Sequence, residues 1–207
     1  MLDRTEVRLE RYFDRLWPIC RSITGPGYRE SLDILADIIP TQRLRFQTGR
    51  QVFDWTVPRE WVSRDAYFID PRGIKRADFK LNNLHLLGYS VPFRGRMRLE
   101  ELRPHLYSLP DQPDAIPYLT SYYSERWGFC VSHNELLSLP DGEYEVVVDT
   151  ELRDGHVEVG EVVLPGASKQ EILFSTYLCH PSLANNELSG PLVMAFLFER
   201  LAATKER

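Results

Sequence analysis

Residues 171–201 read EILFSTYLCHPSLANNELSGPLVMAFLFERL, and this stretch decides the fold. Its first seven residues form an apolar run of strand length, the pattern of a central strand covered on both faces. A polar loop with His180 and Pro181 follows. Leu192, Val193, Ala195, Phe196, Leu197 and Leu201 then predict a helix apolar nearly all round, which must be buried on most sides. Strand, loop and helix in that order indicate an α/β layer.

The amino end supplies cover for such a sheet. Leu9, Tyr12, Phe13 and Leu16 fall at i, i+3, i+4 and i+7 among charged residues, an amphipathic helix that Pro18 ends. After Gly25-Pro26-Gly27 the period resumes through Leu32, Leu35 and Ile39, and Pro40 closes a second helix. Residues 43–47 alternate polar and apolar as a half-buried strand does, and residues 52–57 have strand-like composition.

From about residue 55 the character changes. Prolines at 58, 71, 92, 104, 110, 113, 117 and 140 cut the chain into short pieces with no long helical period. Residues 65–70, 83–90 and 128–132 read as strands and 99–107 as a short helix or turn. Tyr144, Val146 and Val148, then Asp154-Gly155, then Val157 and Val159 predict a hairpin. The expected architecture is therefore α/β: residues 1–54 and 157–207 form one layer, interrupted by a β-rich insertion at 55–156.

Composition narrows the function classes. The 207 residues are 43% hydrophobic and 27% charged, with 25 Lys+Arg against 30 Asp+Glu, so the chain is globular and carries no basic footprint for nucleic acid or an acidic membrane. The three cysteines are far apart in the sequence, the start Met1-Leu2-Asp3-Arg4 is too charged for a signal peptide, and no run reaches membrane-span length. A reducing, cytoplasmic setting is expected.

The chemistry concentrates in residues 178–190. His180 and Glu187, an imidazole and a carboxylate, stand at the carboxyl end of the expected strand, where open α/β sheets bind ligands. These are donor types that a hydrolytic zinc ion uses, and the irregular backbone between them lets both turn to one point. The plainer alternative is that His180 is structural and Glu187 caps the final helix. Cys179 precedes His180, but neighbours in a strand face opposite ways, so a buried thiol is expected rather than a Cys–His pair. No G-x-S-x-G elbow or P-loop is present. His133 and His156 fit surface turns, and His85 and His105 fit structural roles. Tyr122, Tyr123 and Trp127, in an aromatic run, suit either strand packing or the wall of a substrate pocket.

The motif at 178–191, LCHPSLANNELSGP, resembles that of an aminopeptidase-like family related to zinc-dependent exopeptidases and associated with bacterial polysaccharide biosynthesis. DWTVPREW at 54–61, LHLLGYSVP at 84–92, HLYSLPDQPDAIPY at 105–118, TSYY at 120–123 and WGFC at 127–130 resemble that family's inserted domain of unknown function. The resemblance implies a zinc-exopeptidase-like sheet with flanking helices, here incomplete. It also implies one or two zinc ions, with His180, Glu187 and Asn186 as candidate ligands. In the wider exopeptidase pattern an Asp bridging two metals stands where Asn186 aligns, and a neutral amide bridges dications poorly. Either Glu187 takes that role or the site holds one ion. Ser182 likewise stands where an orienting Asp is common.

The implied activity is zinc-assisted water attack on the amide carbonyl of a small peptide or other amide-bearing substrate. A non-catalytic binding or accessory protein with a degenerate metal site is the competing reading, and homo-oligomerisation through the apolar final helix a third. Because the general base and further ligands of such enzymes find no counterpart before Arg207, the expectation is an N-terminal portion of a longer enzyme, inactive alone.

Overall fold

The computed structural model describes residues 4–204; the charged start at residues 1–3 lies outside them. In chain order the elements are α1 (Arg4–Leu16), α2 (Pro26–Ala36), β1 (Gln42–Gln47), β2 (Gln51–Val52), β3 (Trp55–Thr56), β4 (Glu60–Ile69), β5 (Lys75–Arg76), β6 (Phe93–Arg98), α3 (Leu99–Leu102), β7 (Leu106–Tyr107), β8 (Phe129–Cys130), α4 (His133–Ser138), β9 (Glu143–Arg153), β10 (His156–Glu161) and α5 (Ser189–Ala203). The fold is mixed α/β with small sheets. It divides into two units, one built from the chain up to Glu60 and from Asp154 onward, the other from Trp61–Arg153.

In the first unit the apolar faces of α1, α2 and α5 meet in a core of Leu16, Ile34, Ile38, Ile39, Leu188, Leu192, Ala195 and Phe196, joined by Leu178 from the segment before α5. Burial of such side chains contributes about 1.5–3 kcal/mol each. Gly27 makes the turn into α2 feasible, since a Cβ there would sit 2.0 Å from the Cys20 carbonyl oxygen. Beside the helices β1 pairs antiparallel with β10, Leu44 opposite Val159 and Phe46 opposite Val157. The buried Glu158 carboxylate holds this ribbon, 2.7 Å from the His156 ring and 3.1 and 3.3 Å from the Arg45 and Arg43 guanidinium groups.

The second unit is a four-stranded sheet in the order β5-β4-β9-β6, with β7 and β8 as a separate short pair. Phe68, Tyr144 and Phe129 meet edge to face in its core, with centroids 5.3 and 5.8 Å apart.

Three expectations are corrected. Residues 171–177 are not a strand. A strand exists through its backbone pairing, and no described strand lies beside this run, so it passes as irregular chain with Ile172 and Leu173 84% and 89% exposed. It rests on α5 instead: Phe174 meets Phe198 edge to face, and a Cβ on Gly190 would come within 2.4 Å of the Thr176 hydroxyl. By the same cause α5 is covered on one side only, leaving Val193 exposed.

Residues 83–90 are likewise not a strand. The Asn82 side chain accepts the Leu84 N–H and winds Asn83–His85 into a 3₁₀ turn, while Tyr89 takes a left-handed φ of 62°. The hairpin at Asp154-Gly155 does not form either. β9 pairs with β6 and β10 with β1, because Gly155 is pinned to Thr48, accepting its N–H at 2.9 Å and donating to its hydroxyl at 3.0 Å. Among the described residues no helix is long and apolar enough to cross a membrane.

Candidate functional site

The chain enters the site from the exposed run. Leu178 drops into the core, Pro181 is buried behind His180, and Ser182 adopts a left-handed φ of 51° that reverses the path. A single π-helical turn, Ala184–Leu188, then leads into α5. Such turns carry an extra residue per winding and re-aim a side chain. Here the re-aimed residue is Glu187, turned inward beside the core residue Leu188.

Glu187 is fully buried, and its partners explain how a charge survives there. One carboxylate oxygen accepts the backbone N–H of Cys179 at 2.6 Å and of His180 at 3.0 Å. The other lies 2.6 Å from Nδ1 of the His180 ring. Burial pushes the carboxyl pKa up, but these bonds outweigh it and the net shift is downward. The His180 ring is pushed up to about 10, first by its hydrogen bond with the Cys179 side chain and then by Glu187.

Arg21, buried in the connection between α1 and α2, completes the surroundings. Its Nε donates to the His180 carbonyl at 3.2 Å and another nitrogen to the Leu16 carbonyl, tying the end of α1 to the His180 turn. Burial lowers its pKa to about 10, and the attraction of Glu187 opposes that shift. A buried cation and a buried carboxylate thus lie in the same region.

The structure brings His180 and Glu187 together and adds Cys179. The donor atoms of these three side chains lie within 4.8 Å of one another. This corrects the expectation for Cys179: the rule that neighbours face opposite ways holds for a strand, and residues 179–180 are irregular chain. Thiolate, imidazole and carboxylate form a donor set that zinc accepts. Asn186 is exposed, its amide donating to the Tyr177 hydroxyl at 3.2 Å.

The aromatic candidates belong to the second unit. Trp127 is buried, stacked on Phe93 at 4.3 Å and on His105 at 3.7 Å, so its ring serves the core. Tyr122 is half-buried with its ring 4.9 Å from Tyr89, and Tyr123 is exposed. The other histidines sit in hydrogen bonds: His85 with the Cys130 carbonyl, His105 with the Trp127 carbonyl, His133 with the Ser108 hydroxyl. Sequence reasoning missed Arg21. Its one signal was a single charge between Cys20 and Ser22 in an otherwise uncharged loop.

The family described as "Domain of unknown function (DUF4910)" matches residues 10–207. A Clostridium acetobutylicum protein, provisionally named a polysaccharide biosynthesis protein with an aminopeptidase-like domain, is 47% identical over 194 residues, 94% of this chain. The chain spans 45% of that relative's length. A crystal structure of a C. acetobutylicum protein, provisionally described as a peptidase, superposes with a TM-score of 0.93 at 45% identity, over 97% of this chain and 48% of the other.

Proposed function

The chain belongs to the DUF4910 family, and from that premise and the geometry of the His180 turn we propose that it carries a metal-binding loop of an aminopeptidase-like hydrolase of amide bonds, with zinc as the metal. One observation carries the reading: a buried carboxylate, Glu187, sits 2.6 Å from Nδ1 of His180. A carboxylate in that position fixes the ring's tautomer and orientation and raises the basicity of its other nitrogen, the one an ion would take. The names given to the two C. acetobutylicum proteins support it.

Zinc bound here would supply a water of lowered pKa for attack on an amide carbonyl at neutral pH. The chain's own residues do the positioning. Glu187 holds both the His180 ring and the backbone on its amino side, and Arg21 holds the carbonyl. We read the first unit as an incomplete zinc-exopeptidase-like sheet with flanking helices and Trp61–Arg153 as its β-rich insertion. The relative's name directs attention to an amide on an amino sugar as well as to a small peptide. That Cys20, Cys130 and Cys179 form no disulfide suits a cytoplasmic setting.

A second reading, a binding or accessory protein with a degenerate site, is favoured by the neutral Asn186 turned toward Tyr177. A panel of peptide and N-acyl amino-sugar amides, assayed with and without chelator on protein that contains the complete catalytic domain, separates the two. The hydrolase reading predicts turnover that chelation removes, zinc restores and His180→Ala abolishes. No turnover on any substrate, with ligand binding unaffected by His180→Ala, contradicts it.

A further inference from the structure

We propose that Cys179, as a thiolate, is a direct metal ligand beside His180, making this a single-ion site selective for zinc-like metals over magnesium, manganese or calcium. The inference rests on the reading that the His180 turn holds a metal, and adds which ion it takes and through which atoms.

The geometry comes first. Sγ of Cys179 and a ring nitrogen of His180 lie within 4.8 Å of one another and of the Glu187 carboxylate that holds Nδ1 of the ring. Two adjacent side chains reach one point because residues 179–180 are irregular backbone, held by the two N–H bonds to Glu187. Cys179 is half-buried, so its sulfur is reachable by an ion from solvent.

Charge makes the second argument. The buried Arg21 guanidinium, whose Nε donates to the His180 carbonyl at 3.2 Å, contributes a fixed positive charge beside the site. With Glu187 as the sole anion, a divalent ion and the Arg21 cation together would leave two positive charges uncompensated in a region of low dielectric, which is costly. Asn186, whose amide donates to the Tyr177 hydroxyl, is neutral and supplies no charge. A Cys179 thiolate supplies the second negative charge. The two anions then balance a dication, leaving the Arg21 charge. Binding breaks the S–H bond and forms a metal–sulfur bond, and the proton leaves to solvent, so one proton is released per ion bound through this atom. A thiolate also sets selectivity, because soft sulfur favours zinc and cobalt while magnesium, manganese and calcium seek oxygen.

Cobalt(II) titration of the 207-residue chain tests this, since a thiolate bound to cobalt gives an intense near-ultraviolet charge-transfer band. The expected result is that band in the wild type, its loss in Cys179→Ser with the visible cobalt bands retained, and a fall in zinc affinity of more than about 100-fold, beyond the loss typical of a group that only supports a ligand. Cobalt binding with no charge-transfer band overturns the role of Cys179 and leaves the metal reading standing; no binding at all overturns both. Should Cys179→Ser misfold, thiol alkylation of the wild type read by mass spectrometry replaces it. Zinc is expected to protect Cys179 selectively, while equal labelling with and without zinc overturns the proposal.

Discussion

At the scale of single residues, the account turns on Glu187. A lone buried carboxylate is costly, and this one is tolerated because two backbone N–H groups and an imidazole surround it. Glu187→Ala would leave those two N–H groups without their acceptor beside a His180 ring stripped of its partner, at a cost of about 3 kcal/mol. Urea unfolding should show that loss. Glu187→Gln keeps an acceptor for the backbone but removes the charge, so it should cost less stability while weakening zinc binding by about 10- to 100-fold. Equal losses of stability in the two variants would make the residue a cap and nothing more. That His180 and Glu187 come together was legible in the sequence, because the irregular backbone between them lets both turn to one point. Arg21 was not: 159 positions separate it from His180, and no local pattern links them. Cys179 was misread because strand geometry was assumed for a segment that has none.

At the scale of elements, periodicity served the first two helices well, because α1 and α2 bury apolar stripes whose 3.6-residue spacing is written in the sequence. In contrast, α5 reads as apolar nearly all round yet leaves Val193 exposed. Periodicity served the strands less well. Alternation marked β1, β9 and β10, yet which strand pairs with which depends on distant contacts, and the pinning of Gly155 by Thr48 sends β9 and β10 to different sheets. The β1–β10 ribbon also yields a pH prediction. Burial works against the Glu158 carboxylate, but His156, Arg45 and Arg43 lower its pKa below the ordinary 4.5. A folded-state pKa below the unfolded one means that its stabilisation is complete above pH 4.5 and is lost as the pH falls through the folded value. Melting temperature should therefore drop on acidification. Glu158→Gln should lower it at neutral pH and flatten the acid side of the profile. An unchanged acid limb would show that Glu158 contributes nothing to it.

For the whole molecule, the exposed apolar run at 171–177 is the feature a folded chain least tolerates, since contiguous exposed apolar surface binds other apolar matter. The chain is expected to bind an apolar fluorescent dye in its native state and to gain mass with concentration. Leu173→Glu should reduce both, and a variant with undiminished dye binding would move the sticky surface elsewhere. The expectation of a buried strand failed here because covering such a strand is a property of neighbours that local sequence does not encode. The central claim, that the turn joining this run to α5 is a metal centre, is tested most directly by anomalous diffraction at the zinc edge from crystals of the chain grown with zinc. The account predicts one strong peak beside the His180 ring, absent in His180→Ala crystals. No peak there, or one that survives the substitution, would contradict it.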